Sequence, residues 1–216
     1  MPELTPELLL RAYAHGYFPM AERRDDPELF WLDPELRGIL PLEHFHISRR
    51  LARTIRSERF EIRIDSAFEQ VMRACAAPRP GHEESWINEQ IISLYTALFE
   101  QGHAHCVECW MDGELMGGIY GVQLGAAFFG ESMFSRARDA SKVALTHLVA
   151  RLRAGGFMLL DTQFLTPHLA QFGGEEIPRA KYQQLLRRAI NSAGDFYSLP
   201  DHCSGREVLQ SITQTS

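Results

Sequence analysis

Apolar residues recur at helical spacing at Leu8, Leu9, Ala12 and Tyr13. Thr5 suits the N-cap of that helix, Pro6 its first position, Glu7 its first turn and Gly16 its stop. Residues 17–20 then read as an aromatic loop and 22–28 as a charged segment; Trp31, Asp33-Pro34 and Arg37 to Pro41 read as short extended pieces broken by turns. Strict alternation begins at Phe60, Ile62 and Ile64 and predicts a strand. Asp65 or Ser66 can cap a helix running to Ala77, which Pro78 and Pro80 stop. A loop over 79–85 leads to Trp86, and Ile91, Leu94, Tyr95 and Leu98 give a second helix its apolar face before Gly102 ends it. A meander follows, with strands over 103–110, 115–122 and 126–134 and a hairpin turn at Met111-Asp112-Gly113-Glu114. Residues 140–154 predict a helix with Leu145, Leu148, Val149 and Leu152 inward and Gly155-Gly156 as its stop. Residues 157–160 form a strand too apolar for an edge, which delivers Asp161 and Gln163. A further helix over 180–190 and a possible last strand over 195–199 complete the pattern.

From Phe60 the order is β-α-α-β-β-β-α-β-α-β, an α+β arrangement. Two helices, a three-strand meander and a helix crossing over to another strand is the order of the acyl-CoA N-acetyltransferase (GNAT) fold, an analogy of topology that leaves function open. Such enzymes hold the CoA pyrophosphate on a glycine-rich turn before the crossover helix. Here that turn reads Ser135-Arg136-Ala137-Arg138-Asp139-Ala140, with no glycine, which removes most of the support for a CoA ligand. The pattern divides into a small N-terminal α/β domain over 1–57 and a GNAT-like domain over 58–216.

Composition narrows the classes. The longest apolar runs are too short to span a bilayer, and the first residues are acidic where a signal peptide would be basic. Four cysteines in a chain of this size suggest reduced thiols and a cytoplasmic location. A net charge of −6 argues against a protein that coats nucleic acid. Against that background Arg49, Arg50, Arg53 and Arg56 stand out. Arg49, Arg53 and Arg56, spaced i, i+4, i+7, share one helix face, either as a solvated surface or as a phosphate-binding stripe.

His103, His105, Cys106 and Cys109 are of zinc-ligand type, but in a strand Cys106 points away from Cys109 and the histidines, so no metal site is expected. Gly117, Gly118, Gly121 and Gly125 lack the Gly-Lys-Ser/Thr of a P-loop and read as positions of close backbone approach. Trp86 reads as a core anchor or, if partly exposed, a stacking platform for a base. Glu131 lies in Phe128-Phe129-Gly130-Glu131-Ser132-Met133-Phe134, where a carboxylate requires a cationic ligand or an internal arginine. Asp161 and Gln163 face the same way if their strand continues; Asp161 is a site carboxylate or a structural one.

Together, Phe18-Pro19, Trp31, His46-Ile47-Ser48-Arg49, Glu84-Ser85-Trp86-Ile87, Gly102-His103-Ala104-His105, Gly117-Gly118-Ile119-Tyr120-Gly121, Gly130 to Ser135, Ala140-Ser141-Lys142, Asp161-Thr162-Gln163 and Gly173 to Arg179 resemble, in order, the leucyl/phenylalanyl-tRNA–protein transferase family. The resemblance implies an enzyme that moves Leu, Phe and less efficiently Met from aminoacyl-tRNA to an N-terminal Arg or Lys, which marks the product for degradation by the N-end rule. It implies no cofactor, since an aminoacyl ester is already activated and the demands are positioning and proton removal. By the same resemblance Asp161 acts through Gln163 to orient and deprotonate the incoming amine. Glu131 pairs with the cationic side chain or positions the peptide. Ile119, Phe128, Met133, Leu145, Leu148 and Leu160 build the apolar pocket, Ser135 contacts substrate, Trp86 stacks the terminal adenosine, and Arg49, Arg50, Arg53 and Arg56 meet the tRNA backbone. Met20 departs from the family's Trp, and Thr166-Pro167 before His168 departs from its Asn-Asp. A monomer is expected. A CoA-dependent acetyltransferase and a non-catalytic tRNA- or N-terminus-binding module remain the alternatives.

Overall fold

The computed structural model describes residues 4–20, 30–78 and 85–213; the charged segment 22–28 and the loop residues 79–84 lie outside them. The first helix, α1 (Pro6–Ala14), begins as its sequence dictates: Thr5 accepts a hydrogen bond from the Leu8 amide, and Gly16 lies past the end at φ +87°. The expected aromatic loop is instead a strand, β1 (Phe18–Met20), paired antiparallel with β2 (Phe30–Leu32). Next come β3 (Leu36–Ile39), α2 (Arg49–Arg56), β4 (Glu61–Ile64), α3 (Phe68–Ala76) and α4 (Glu89–Glu100). The meander is β5 (Ala104–Met111), β6 (Glu114–Leu124) and β7 (Ala127–Ser135). The crossover helix α5 (Ala140–Ala154) leads to β8 (Leu159–Gln163), followed by α6 (Pro167–Ala170), β9 (Glu175–Pro178), α7 (Arg179–Ile190) and α8 (Gly205–Thr213).

The main sheet has seven strands in the order β4-β5-β6-β7-β8-β3-β9. All its pairings are antiparallel except β7 with β8. One face carries a core built with α1, α3, α4 and α7, and the other a core built with α2, α5 and α8. The fold is therefore mixed α+β, in three layers. The sequence places β3 among turns near the N-terminus. In the structure it lies between β8 and β9, which brings Arg37 beside Asp161. Cys106 and Cys109 belong to the two opposite cores, so they do not converge. Gly117 allows α5 to lie directly on β6, since a Cβ there would come within 2.5 Å of the Ala140 Cβ.

Three expectations are corrected. Residues 195–199 form a turn, because the buried Arg151 guanidinium draws in the carbonyls of Phe196, Leu199 and Pro200, groups a strand would pair. The last strand is β9, before α7, and α8 lies beyond it. Neither Asp65 nor Ser66 caps α3. Asp65 binds the Cys106 amide (2.6 Å), the Tyr197 hydroxyl (2.6 Å) and the His105 ring (2.7 Å). The buried carboxylate of Glu108 instead reaches across from β5 to accept the Ser66 and Ala67 amides at 2.7 and 2.8 Å.

Candidate active site

The site forms where two parallel strands part. β7 and β8 pair from Ala127 opposite Leu159 to Phe129 opposite Asp161, and no further. There β7 bulges: Tyr120 faces Ser132 and Gly121 faces Gly130, which leaves Glu131 as the inserted residue. A bulge bends its strand and re-aims side chains, and bulges are common beside active sites. This one reverses the alternation, so that Phe128 before it and Met133 after it share the α5 face.

At the end of β8, Asp161 is fully buried in a cage of donors. Arg37 grips it with Nε 2.9 Å from Oδ1 and Nη2 2.6 Å from Oδ2, while the Tyr182 hydroxyl donates to Oδ2 at 2.6 Å and the Gln163 amide to Oδ1 at 2.8 Å. The guanidinium is sandwiched between the rings of Phe18 (4.4 Å) and Tyr182 (4.5 Å), and its Nη1 donates to the Gly16 carbonyl at 2.9 Å, at the end of α1. Burial opposes the Arg37 charge, but the adjacent carboxylate outweighs it and holds the group above its ordinary pKa. Burial and the Asp161 charge likewise push the Tyr182 phenol up.

Gln163 sits at φ +59° in a three-residue turn closed by the Phe164 amide on the Thr162 carbonyl at 2.7 Å. Such a turn is strained for a residue with a side chain, and the Asp161 bond to its amide holds it in place. Gly38, opposite Gln163, makes room: a Cβ there would lie 2.6 Å from the Phe164 carbonyl carbon. The Gln163 side chain then reaches across the parting strands, its Nε2 3.2 Å from Glu131 Oε1.

Glu131 is half-buried and bound by neutral donors: the Tyr13 hydroxyl at 2.6 Å and the Tyr95 hydroxyl at 3.3 Å, in addition to Gln163. The two phenolic oxygens are 2.5 Å apart. Burial pushes the Glu131 carboxyl up to about 7 against the hydrogen bond from Tyr13, which pulls it down. Of the two partners the sequence allows Glu131, a cationic ligand or an internal arginine, the arginine at hand is bound to Asp161; two tyrosines and a glutamine serve Glu131.

Asp161, Gln163 and Glu131 are thus brought together. Ile119, Phe128, Leu145, Leu148 and Leu160 lie in one packed cluster on the α5 side of the sheet, with Met133 against it. Trp86 is half-buried against the opposite core. Ser135 is exposed and organises the turn into α5, its Oγ donating to the Ala137 carbonyl at 2.8 Å and accepting the Ser141 amide at 3.2 Å. Arg49, Arg50, Arg53 and Arg56 are all exposed on α2, with Arg50 3.1 Å from Asp139. Met20 is an exposed β1 residue opposite Phe30, and Thr166 caps α6. Arg37, Tyr13, Tyr95 and Tyr182 were missed as site residues. Tyr13 and Tyr95 read as apolar-face positions; Arg37, alone and charged within Leu36-Arg37-Gly38-Ile39-Leu40, was the available signal.

A caged carboxylate behind a second, half-open one, joined by a strained glutamine, is the build of an enzyme rather than of a passive binding surface. Comparison with known proteins gives the kind. The family description "leucyl/phenylalanyl-tRNA protein transferase" matches residues 39–187, and that of the same family's N-terminal domain matches residues 2–35. The chain is 60% identical over 216 residues to the leucyl/phenylalanyl-tRNA–protein transferase of Afipia carboxidovorans, covering 99% of this chain and 95% of that one. It is 66% identical over 190 residues to the enzyme of that name from Paramagnetospirillum magneticum, covering 88% and 91%. With that from Caulobacter vibrioides the identity is 58% over 212 residues, covering 98% of each. The chain belongs to the leucyl/phenylalanyl-tRNA–protein transferase family, and its activity is aminoacyl transfer from tRNA to protein.

Proposed function

We propose that the enzyme moves Leu and Phe, and Met less efficiently, from aminoacyl-tRNA to proteins that begin with Arg or Lys, creating an N-end rule degradation signal. The observation that carries this reading is the chain Arg37–Asp161–Gln163–Glu131, set where β7 and β8 separate. Asp161, neutralised and immobile, fixes Gln163, and Gln163 with Glu131 receives the cationic N-terminus of the acceptor. A carboxylate supplied with neutral donors only is suited to a partner that brings its own positive charge.

The apolar cluster of Ile119, Phe128, Met133, Leu145, Leu148 and Leu160 is the donor side-chain pocket, selecting among apolar groups by about 1–3 kcal/mol per methylene. Trp86 stacks the terminal adenosine, and Ser135 takes part through the turn it holds. The parallel strand pair entered through a crossover helix supports a GNAT-like catalytic domain over 58–216, to which the small N-terminal domain over 1–57 lends β3. The four cysteines are free thiols, which supports a cytoplasmic setting, and no helix among the described residues is long and apolar enough to cross a membrane. A monomer acting without a cofactor completes the reading.

The test is transfer of labelled Leu, Phe and Met from charged tRNA to peptides beginning with Arg, Lys, Asp, Glu or Ala. Labelling confined to Arg and Lys is expected; labelling of the Asp or Glu peptides instead would overturn the acceptor assignment. The α2 stripe makes a second prediction. Arg53→Glu with Arg56→Glu weakens tRNA binding and lowers the slope of log affinity against log salt by roughly 1–2, since each phosphate contact releases close to one counterion. An unchanged slope would assign the stripe to solvation.

A further inference from the structure

The two carboxylates of the site are in opposite conditions. Both oxygens of Asp161 are committed, two donors to each, and none of its surface is exposed. An amine could reach it only by dismantling the cage, and a proton placed on it would strip a buried arginine of its counter-charge. Glu131 is half-buried and has no cationic partner of its own among the described residues; Tyr13 and Gln163 donate to Oε1, and Tyr95, at 3.3 Å, to Oε2. From this asymmetry we infer that Glu131, rather than Asp161, takes the proton from the attacking amine, with Tyr13 and Tyr95 as positioning residues that set its basicity. The inference rests on the transferase reading above and reassigns one step within it: Asp161 anchors Gln163 and serves as the partner of Arg37.

The groups that face Glu131 fit this part. They are Tyr13 from α1, Tyr95 from α4, Tyr120 from β6, Asp161 and Gln163 from β8, and Arg37 from β3. The charged pair among them, Arg37 and Asp161, is an ion pair whose two charges act on Glu131 in opposite directions, Asp161 raising its carboxyl and Arg37 lowering it. The tyrosines stay protonated, since burial and then the Glu131 charge push both phenols far up, so they act only as donors. Burial brings the carboxyl to about 7, against about 7.7–8.0 for an ordinary protein α-amine. Such near-matching favours proton transfer in either direction.

The acceptor ammonium loses two protons in becoming an amide. One leaves to solvent as the free amine forms. The nitrogen then bonds to the ester carbonyl carbon, and the second proton passes to Glu131. As the carbon–oxygen bond to the tRNA ribose breaks, Glu131 returns that proton to the departing oxygen, which leaves as a hydroxyl, and the carboxylate is restored.

The deciding measurement is kcat/KM against pH for transfer of Phe from tRNA to a peptide with N-terminal Arg, in the wild type and in Tyr13→Phe, Tyr95→Phe and Glu131→Gln. Each phenylalanine removes a donor that favours the ionised carboxylate, so the acid limb moves to higher pH by about half a unit or more. Loss of packing alone would lower the rate without moving the limb. Glu131→Gln lowers the plateau by on the order of 100-fold and leaves only the amine's own limb. A limb unmoved in both tyrosine variants, or unchanged in Glu131→Gln, would overturn the inference. The glutamate 13C carboxyl shift followed by NMR on the enzyme alone provides a readout independent of turnover, and titration in the ordinary carboxylate range overturns the inference equally. Failure of the underlying reading looks different: the wild type then labels no Arg or Lys peptide at any pH.

Discussion

Arg37→Met lowers stability by about 3–5 kcal/mol, the cost of leaving a buried charge without its partner, and abolishes transfer. In a protein of this size that corresponds to a fall in Tm of roughly 10 °C. Arg37 and Asp161 are exposed by 1% and 0%, so water cannot replace the lost guanidinium. The same side chain also donates to the Gly16 carbonyl and fills the space between Phe18 and Tyr182, so its removal loosens α1 from β3 and α7 together. The double variant Arg37→Met with Asp161→Leu separates stability from function. With both charges gone, an apolar pair recovers much of the stability, as apolar replacements of buried ion pairs often do. Transfer stays absent, because nothing then holds the Gln163 amide. Urea denaturation of the two variants settles the matter: an Arg37→Met protein within 1 kcal/mol of wild type would mean that Asp161 is not the buried anion described above.

Much of this architecture can be read from the chain. The start of α1, the hairpin at Asp112-Gly113, the meander and the span of α5 follow from period, the Thr5 cap and turn residues, which act locally. What escaped is what distant segments decide. No local rule carries β3 across to β8, yet that pairing sets Arg37 against Asp161. No local rule inserts an extra residue at Glu131, although the bulge reverses the alternation and puts Met133 on the α5 face. The requirement that Glu131 needs a partner was legible from its apolar neighbours; the partner's identity was not, because Tyr13 and Tyr95 sit on helix faces that read as plain core. The helix α8 is a different case. Ser204 and Glu207 form a capping box, with the Ser204 amide and hydroxyl donating to Glu207 at 2.8 and 2.6 Å, and that spacing was in the sequence to be read.

The sharpest single test of the site is Asp161→Asn, which changes little in volume and is expected to cost transfer at least as much as losing a fixed oxyanion donor costs other enzymes, on the order of 10²–10³-fold. Asp161 accepts from four N–H or O–H groups, and a carboxylate can serve all four. An amide can serve those on one side only; its own NH2 must then face either Arg37 Nη2 and the Tyr182 hydroxyl or Arg37 Nε and the Gln163 amide, donor against donor. The amide is neutral, so the buried guanidinium loses its counter-charge whichever way the NH2 turns. If it turns toward Gln163, the three-residue turn at φ +59° loses the bond that holds it and relaxes, carrying the side chain away from Glu131. Either way the loss falls on kcat more than on KM, because the apolar cluster against α5 and the arginines of α2, proposed above to bind the donor, lie on the other face of the sheet and are untouched. The acid limb that Glu131 sets persists, moved toward lower pH because the Asp161 charge no longer raises the Glu131 carboxyl, which separates the anchoring carboxylate from the one that accepts the proton. Full transfer by Asp161→Asn would take Asp161 out of the mechanism, and disappearance of the limb would return the proton to it.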